Sequence, residues 1–297
     1  MVHLIDASVY VFRAYYSMPP DMLDGDGNAV HAVYGFARFL GDLLEKAKPT
    51  YAAVAFDASL STSFRNRIYP PYKANREAAP PDLALQFQRC RELCGLLGVP
   101  AFDSTEYEAD DIIGTLVHQL RAEGLRSTVV TRDKDLAQLL RPGDVYWDWA
   151  GNQRYHYHEI ADRFGVAPER YADYLALAGD AVDNIPGVPG VGPKTAAALM
   201  QAFESLDHLY AGLERVADLP LRGASTLAAK LAQHREAAFL ARQLTHIHCA
   251  MPLAADRHTL RRAAPDREAL AKFYDRQGFG SALRQQAERL ISAHANS

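Results

Sequence analysis

The chain has 297 residues and a formal net charge of −4, which is long enough for an α/β domain followed by a smaller helical one and argues against a protein that coats nucleic acid uniformly. Its three cysteines, Cys90, Cys94 and Cys249, exclude an even disulfide framework and a four-ligand zinc pattern, and indicate a reducing cytoplasm. The first apolar run begins at Val2, and no apolar run approaches the roughly 20 residues needed to cross a bilayer. We therefore expect a soluble, intracellular protein without a signal peptide.

Three apolar runs rich in β-branched residues each end in an aspartate. The aspartates are Asp6, Asp57 and Asp133. Runs of this kind are typical of buried strands in a parallel sheet, and open α/β sheets bind ligands beyond the carboxyl ends of their strands. The pattern predicts that three strands bring three carboxylates to one edge of a sheet.

The segment from about 61 to 91 is the most basic part of the first half of the chain. Prolines at 70–71 and 80–81 interrupt regular structure, so we expect a mobile loop or arch at first and a helix later, with Leu83 to Leu97 on one apolar stripe. Six cations lie in the segment: Arg65, Arg67, Lys73, Arg76, Arg89 and Arg91.

Strand and helix signals continue to alternate up to about Phe164. A helix with an acidic first turn is predicted from Glu106, followed by a strand to Thr131 and a turn and helix after Asp133. This alternation favours a parallel or mixed α/β sheet. Beyond Phe164 the pattern is helical, so we predict an α/β domain over residues 1–164 and a helical domain over residues 165–297.

Two further acidic clusters accompany the strand ends, one at Glu108, Asp110 and Asp111 and the other at Asp180 and Asp183. Each cluster alone is also typical of a helix first turn, where carboxylates complement the helix dipole. If the clusters converge, their repulsion raises their pKa values and requires cations. Oxygen ligands favour Mg²⁺ or Mn²⁺, and a pair of such ions suits phosphodiester hydrolysis.

Two pairs of histidines alternate with apolar or aromatic residues, at His156 and His158 and at His246 and His248. Without partner cysteines, this alternation favours one face of a strand or turn over a zinc site.

A glycine-rich segment spans residues 185–195. Its glycines allow a close backbone approach, and a helix from about Pro193 presents free N–H groups to an anion such as a nucleic-acid phosphate. Lys194 adds a positive charge beside them. An ordinary loop between two helices remains the alternative.

With these motifs in their order, the chain resembles the 5′ nuclease family, which includes the 5′-3′ exonuclease domain of bacterial DNA polymerase I, phage 5′ nucleases and flap endonucleases. The motifs that support the resemblance are Asp6 with Arg13, Phe56-Asp57, Phe64-Arg65, Tyr72-Lys73-Ala74-Asn75-Arg76, Tyr107-Glu108-Ala109-Asp110-Asp111, Thr131-Arg132-Asp133-Lys134-Asp135 and Gly179 to Val188.

The resemblance implies a PIN-like α/β core, with a central, mostly parallel sheet flanked by helices, and a helix-three-turn-helix domain. It also implies two Mg²⁺ or Mn²⁺ ions. One ion is assigned mainly to Asp6, Asp57, Glu108, Asp110 and Asp111, and the second mainly to Asp133, Asp135, Asp180 and Asp183.

The resemblance further implies catalytic roles for Lys73, Arg76 and Asp111, and base stacking by Tyr72. A potassium ion is expected in the glycine-rich segment near Val188 and Val191. The residues expected to contact DNA are Arg13, Tyr72, Lys73, Arg76, Gly187, Gly190, Gly192, Lys194 and Thr195.

We therefore predict a metal-dependent 5′-3′ exonuclease and flap endonuclease of DNA replication and repair. Its expected substrates are DNA with a 5′ flap, nick or free 5′ end, and RNA paired with DNA. Because no polymerase region follows, we expect a stand-alone enzyme, and we also expect a monomer at the nucleoid. The chain departs from the family at Ala7, where members often have glycine, and a small side chain near the metal should be tolerated. A PIN-type ribonuclease and a catalytically weak DNA-junction-binding protein are the alternatives.

Overall fold

The computed structural model describes residues 1–58 and 62–295. The strands in these residues form one six-stranded sheet in the order β3-β2-β1-β4-β5-β6. All neighbours pair in parallel except β5 and β6, which are antiparallel. The strands are β1 (Val2–Asp6), β2 (Tyr51–Asp57), β3 (Ala101–Ser104), β4 (Ser127–Val130), β5 (Val145–Asp148) and β6 (Gln153–His156).

The sheet changes direction next to β1. From β1 the chain adds β2 and then β3 on one side, and it then crosses to the other side to add β4 and β5. Open α/β sheets bind their ligands at such a switch point, beyond the carboxyl ends of the strands. Asp6, the last residue of β1, therefore stands at the position where this fold builds sites.

Helices cover both faces of the sheet, as expected for a mostly parallel sheet. Alternation along β1 directs Ile5 into a core with α1, α2 and α4, whereas Leu4 faces α5 on the other side. The helices of this part are α1 (Ala7–Ser17), α2 (His31–Ala47), α3 (Phe64–Ile68), α4 (Pro81–Leu96) and α5 (Ala109–Ala122).

The ends of these helices follow from local chemistry. Pro81 occupies the first turn of α4, where its missing N–H costs nothing, and Lys48 ends α2 in a left-handed conformation with φ of 44°. Glu108 and Asp111 form a capping box at the start of α5. The helix predicted after Asp133 is a 3-10 helix over Lys134–Leu139.

A second, helical core follows the sheet domain. It is built around Leu199, Leu206 and Leu231, which are completely buried. The helices from this part of the chain are α6 (Ile160–Phe164), α7 (Tyr171–Ala178), α8 (Pro193–Ala202), α9 (Leu206–Ala211), α10 (Ala224–Gln233) and α11 (Arg235–Thr245).

The expectation that residues 165–297 form one helical domain is corrected by the last part of the chain. Ile247 and Leu260 pack with α5 in the sheet domain, and α12 (Arg267–Arg276) and α13 (Ser281–Ala295) pack on α4 and α2. Phe273, fully buried, belongs to the sheet domain's core. Helical periodicity shows that a helix has an apolar face but not which core that face joins.

The histidines behave as ordinary structural residues. His156 ends β6 and stacks on His158 with ring centroids 6.0 Å apart, and the segment after α11 holds His246 and His248. No group of three or more His, Cys, Asp or Glu side chains close enough to hold a metal is found within residues 1–58 and 62–295. In the same residues, no helix is long and apolar enough to cross a membrane.

Candidate metal centre

Three of the predicted carboxylates lie together at the switch point of the sheet. The Thr131 hydroxyl, just beyond β4, donates to Oδ2 of Asp6 at 2.8 Å. The backbone N–H of Ala109 donates to Oδ1 of Asp57 at 2.9 Å, which brings the start of α5 to the end of β2. Asp133 lies three residues beyond the last residue of β4, so the strand itself ends earlier than predicted.

Burial and mutual repulsion mark a first group of acidic side chains. Burial raises the pKa of Asp6 to about 7, and the negative charges of Asp57 and Asp133 add to the effect. Burial also raises the pKa of Asp110 well above its usual range, and the nearby charges of Asp133 and Asp6 reinforce it. Asp6, Asp57, Asp110 and Asp133 are therefore close enough for their negative charges to repel one another.

A second group overlaps the first at Asp133. Burial raises the pKa of Asp135 well above its usual range, and the charges of Asp133, Asp180 and Asp183 act in the same direction. Asp180 is held by a short turn, in which its Oδ1 accepts from the N–H of Val182 at 2.8 Å. The acidic side chains thus extend from the sheet edge to the first loop of the helical domain.

The donor atoms suit a hard divalent cation. All are carboxylate oxygens, and Oδ1 of Asp135 is buried without a hydrogen-bond partner in the part of the chain that the structure describes. The carboxylates that repel one another are not gathered as tightly as a coordination sphere requires. The set therefore fits the chemistry of Mg²⁺ or Mn²⁺, and binding would have to draw the side chains closer.

Cations of the basic segment lie among these carboxylates. Nζ of Lys73 is 3.0 Å from Oε1 of Glu108 and 3.7 Å from Oδ2 of Asp183, and Arg76 pairs with Asp183. Burial acts to raise the pKa of Glu108, but the charges of Lys73 and Arg65 outweigh it and lower that pKa. Lys73 therefore bridges Glu108 and Asp183, which the family resemblance assigns to two different ions.

The backbone holds this part of the basic segment against the loop that contains Asp183. The backbone N–H of Lys73 donates to the carbonyl of Asp183 at 2.9 Å, and the side-chain Nδ2 of Asn184 donates to the carbonyl of Pro71 at 2.7 Å. Both Lys73 and Asn184 have φ of 56°, a left-handed conformation that costs free energy for residues other than glycine. Residues 70–76 therefore form an ordered contact with the helical domain.

The basic segment, for which a mobile loop or arch is predicted at the start, has its six cations paired with carboxylates. Ser61, at its predicted start, lies outside the described residues. Each of the six predicted cations has an acidic partner: Arg65 pairs with Asp111, Arg67 with Glu106, Lys73 with Glu108, Arg76 with Asp183, Arg89 with Asp24 and Arg91 with Asp103.

Tyr72 is not placed for base stacking, which corrects the role expected for it. Its side chain is 3% exposed and belongs to the core of the helical domain. Its hydroxyl lies 3.0 Å from Oε2 of Glu108 and 3.2 Å from Oδ2 of Asp183. Tyr72 thus positions carboxylates of the candidate metal centre.

Asp111 is also separate from the centre, which corrects its assignment as a metal ligand and catalytic residue. Its two oxygens accept from Nη1 and Nη2 of Arg65 at 2.7 and 2.8 Å. They also accept from the N–H groups of Glu108 at 3.0 Å and His248 at 2.8 Å. A carboxylate with four donors and no exposed surface has a structural role.

The remaining predicted phosphate contact in the sheet domain is Arg13. It is exposed on α1 and lines a cavity of about 260 Å³ that also contains Phe39 and Trp149. Arg13 is therefore accessible; Arg67, Arg76 and Arg91 of the basic segment are also exposed, but each of these three is paired with a carboxylate.

The three glycines of the predicted phosphate-binding segment play different roles. A Cβ on Gly187 would lie 2.4 Å from the backbone of Ala178 and Gly179, so this glycine is needed for packing at the end of α7. Gly190 has φ of +81°, and Gly192 has open space around it and caps α8. Only the second half of the segment presents its backbone outward.

Positive charge accompanies this open half. Lys194 is exposed in the first turn of α8, and Thr195 follows it. Nζ of Lys230, from α10, would lie 3.4 Å from a Cβ on Gly190. The side chains of Val188 and Val191, in the predicted potassium region, are buried in the helical core.

Lys230 was not identified from the sequence, and Thr131 and Arg65 were named only within motifs, without the contacts that they make here. Thr131 donates to Asp6, Arg65 holds Asp111, and Lys230 approaches Gly190. Thr131 could have been found as the hydroxyl residue directly after a predicted strand. The contacts of Arg65 and Lys230 join residues 46 and 40 positions apart, and no local pattern indicates them.

Two family descriptions match the chain in succession. Residues 1–165 match the 5′-3′ exonuclease N-terminal resolvase-like domain, and residues 166–268 match the 5′-3′ exonuclease C-terminal SAM fold. Together they include every carboxylate of the candidate metal centre.

Curated relatives agree with this match. The chain is 40% identical over 272 residues to DNA polymerase I of Pseudomonas aeruginosa, covering 91% of this chain and 30% of the relative. It is 33% identical over 253 residues to a 5′-3′ exonuclease of Buchnera aphidicola, covering 85% and 88%. A 5′-3′ exonuclease of Aquifex aeolicus is 35% identical over 214 residues, covering 72% and 73%. The chain thus spans about a third of the polymerase relatives and most of the exonuclease relatives.

Solved structures share the fold. T5 5′-exonuclease with bound zinc aligns over 98% of both chains, with a TM-score of 0.66 and 19% identity. The catalytic core of Rad2 in complex with a DNA substrate aligns over 98% of this chain and 91% of that one, with a TM-score of 0.61 and 16% identity. At these identities the likeness concerns architecture, and it supports a mixed α/β domain with a helical domain attached.

Proposed function

We propose that this chain, which belongs to the 5′-3′ exonuclease family, hydrolyses phosphodiester bonds near the 5′ end of branched or nicked DNA. Divalent metal ions would assist this hydrolysis. The polymerase I relatives are about three times as long as the region that this chain matches. The activities of the whole polymerases are therefore not assigned to this chain. The proposal rests on this chain's own site together with its family membership.

The observation that carries the proposal is the convergence of acidic side chains at the switch point. Asp6, Asp110, Asp133 and Asp135 have raised pKa values because they are buried and close to other carboxylates. Such an arrangement costs stability unless a cation neutralises it, and a protein that retains it has a use for the cation.

The expected ligands form two neighbouring groups. Asp6, Asp57, Glu108 and Asp110 would hold one ion, and the second would be held by the group that comprises Asp133, Asp135, Asp180 and Asp183. When bound, two ions supply an activated water and stabilise charge on the phosphoryl oxygens. Oxygen chemistry favours Mg²⁺ or Mn²⁺ over the zinc found in the T5 structure.

The chain's own cations would then act on the substrate. Lys73 and Arg76 neutralise Glu108 and Asp183 in this structure, and ions bound to those carboxylates would release both side chains. A cavity of about 970 Å³ contains Lys73 and Arg76 together with Asp57 and Glu108, so a phosphate in the cavity can meet cations and carboxylates at once. Lys73 is therefore proposed to bind the scissile phosphate and orient it.

The open half of the glycine-rich segment is proposed to hold duplex DNA. The start of α8 at Gly192 presents backbone N–H groups, and Lys194 and Lys230 add positive charge. Such contacts with phosphates position DNA without reading its sequence, which suits a structure-specific nuclease. A potassium ion near Val188 and Val191 and contacts through Gly190 and Thr195 belong to this proposal, as does Arg13 on the sheet domain.

The proposed substrates extend to RNA paired with DNA, because no contact described above depends on the sugar. The proposed state is a monomer that acts on nucleoid DNA in the cytoplasm.

Cleavage of a 5′-labelled flap DNA tests the proposal. Wild type is compared with Asp110→Asn, with magnesium or with excess chelator. Glu123→Gln is the matched control because Glu123 is exposed at the opposite end of α5, about 20 Å from Asp110 at 1.5 Å per residue. We expect a short labelled product from wild type and the control only with metal, and none from Asp110→Asn.

The alternatives predict different results. Cleavage of single-stranded RNA in preference to the flap would favour a PIN-type ribonuclease. Tight junction binding by wild type without cleavage, in both magnesium and manganese, would favour the junction-binding alternative and contradict the proposed catalysis.

A further inference from the structure

Tyr16 is the most exposed of the large hydrophobic side chains identified as exposed in the described residues. It lies near the end of α1, and 73% of it is accessible to solvent. It has no part in the candidate metal centre described above. A single exposed aromatic residue is common on protein surfaces, so what distinguishes Tyr16 is its position on the cavity described next.

The ring borders the same cavity as the proposed reaction site. Asp57 and Glu108 line this cavity of about 970 Å³ on the side of the candidate metal centre, and Lys73 contributes from the basic segment. Cavities of roughly 300–1,000 Å³ hold ligands of drug size, so this one has room for a nucleotide. Tyr16 therefore shares an opening with the residues proposed to act on the scissile phosphate.

The position of Tyr16 is supported from below. Its ring meets the ring of Tyr15 edge to face, at 5.2 Å between centroids and 83° between planes. The hydroxyl of Tyr15 donates to Oδ1 of Asp82 at 3.0 Å in the first turn of α4. Phe12 and Phe87 also link α1 to α4, with centroids 5.5 Å apart. The ring of Tyr16 is therefore supported by α1, and α1 is held against α4 by these contacts.

We propose that Tyr16 is a stacking platform for one nucleobase of the single-stranded 5′ end that enters the cavity, an inference that rests on the proposed nuclease function. Every base has a flat aromatic face, so stacking holds a strand without selecting a sequence. The ring would fix where the strand lies relative to Lys73 while the helical domain holds the duplex. Tyr16 is then a positioning residue for the substrate.

A scan with abasic sites tests the stacking. Single bases are removed in turn from the first nucleotides of the 5′ strand, and flap binding is measured in the Asp110→Asn background, where the DNA stays intact. We expect removal of one particular base to weaken binding by about 5- to 150-fold, which is a stacking energy of about 1–3 kcal/mol converted at 1.4 kcal/mol per tenfold. With Tyr16→Ala added, loss of that base should change binding less than about twofold.

Two further variants separate stacking from a general effect on the surface. Tyr16→Phe keeps the ring and should restore the dependence on that base. Leu23→Ala removes another exposed apolar side chain, 54% accessible, and should leave the wild-type profile unchanged. Thermal unfolding of each variant shows that the fold is intact.

The outcomes distinguish this inference from the proposed function. Equal abasic penalties with and without Tyr16 would overturn the stacking, while flap cleavage by wild type would leave the nuclease function standing. A wild type that neither binds nor cleaves the flap would overturn both.

Discussion

Arg65 and Asp111 form a two-point ion pair in the interior of the protein, with N–O distances of 2.7 and 2.8 Å. Arg65 also donates from Nε to the carbonyl of Leu244 at 2.8 Å. Leu244 lies in the last turn of α11, just before the chain re-enters the sheet domain at Ile247. One buried guanidinium therefore joins the start of α5 to the end of the helical domain. This relationship gives neighbouring aspartates opposite roles, since Asp110 faces the carboxylate cluster and Asp111 faces Arg65.

Asp111→Asn should lower the free energy of unfolding by up to about 3–5 kcal/mol, because buried Arg65 loses the nearer of its two carboxylate partners and keeps only Glu108, at 3.5 Å. Asp110→Asn should keep or increase the stability of the metal-free protein, because it removes a carboxylate that repels Asp133 and Asp6. Denaturant unfolding in chelator measures both effects. An Asp111→Asn variant that is as stable as wild type but has lost metal binding would show that Asp111 is a metal ligand.

The contribution of Asp6 to the stability of the metal-free protein should fall as pH rises from about 4 to about 7, whereas buried His3, whose pKa burial lowers to about 4, contributes in the opposite direction. Burial raises the pKa of Asp6 from its usual 3.8 to about 7, so over this range the folded state holds a proton that the unfolded state has released. The stabilisation is complete below pH 3.8 and lost above about 7. The raised pKa values of Asp110 and Asp135 act with the same sign.

Thermal unfolding in chelator across this pH range measures the effect. Asp6→Asn is the control, and the stability of wild type relative to this variant should fall as pH rises. Excess magnesium should weaken or reverse the slope, because a bound cation favours the charged carboxylates. A wild type whose stability relative to Asp6→Asn does not fall between pH 4 and pH 7 would contradict the buried, mutually repelling cluster.

Lys73→Ala should lower turnover of a flap substrate by more than tenfold while changing its dissociation constant only slightly, because Lys73 is proposed to act on the phosphate during reaction. Single-turnover cleavage and equilibrium binding separate the two quantities. Arg67→Ala is a suitable control, because Arg67 pairs with Glu106 on the surface. A loss confined to affinity would show that Lys73 serves binding alone.

Gly187→Ala and Gly192→Ala should affect different properties. The new Cβ at Gly187 would meet backbone atoms at 2.4 Å, so we expect a loss of stability of about 1–3 kcal/mol. At Gly192 the space is open and φ is −87°, so alanine should leave folding intact and weaken duplex binding by obstructing a phosphate. Melting and binding experiments on both variants test the pair. Normal duplex binding by Gly192→Ala would remove that backbone from the proposed interface.

Lys194→Ala and Lys230→Ala should each weaken duplex binding and reduce the slope of log K against log salt by about one. The reason is that each lysine is proposed to neutralise one phosphate beside the open backbone of Gly190 and Gly192. Titrations between low and moderate salt provide the slopes. A slope unchanged from wild type in either variant would exclude that lysine from phosphate contact.

Sequence patterns predicted the strands that end at Asp6 and Asp57 because buried central strands are continuous apolar runs. The edge strand β3 was not predicted, because its four residues are only half buried and include Asp103 and Ser104. The sequence also could not predict which core α12 and α13 would pack against. Two helical cores accept the same kind of amphipathic face, and only the three-dimensional structure distinguishes them.

The site shows the same division between local and distant information. The convergence of Asp6, Asp57 and Asp133 follows from the topology of a parallel sheet. The burial of Tyr72 and the pairing of Asp111 depend on partners far along the chain, and a short motif contains no information about such partners.

The return of the chain to its first domain has a mechanical consequence. The polypeptide passes into the helical domain near residue 165 and back near Ile247, so the helical domain is attached through two crossings, with Arg65 joined to the second of them. A body attached at two points swivels far less than one on a single linker. DNA bound near Gly192 would therefore lie at a fixed distance from the carboxylates. The cleaved bond would then be a constant number of nucleotides from this contact.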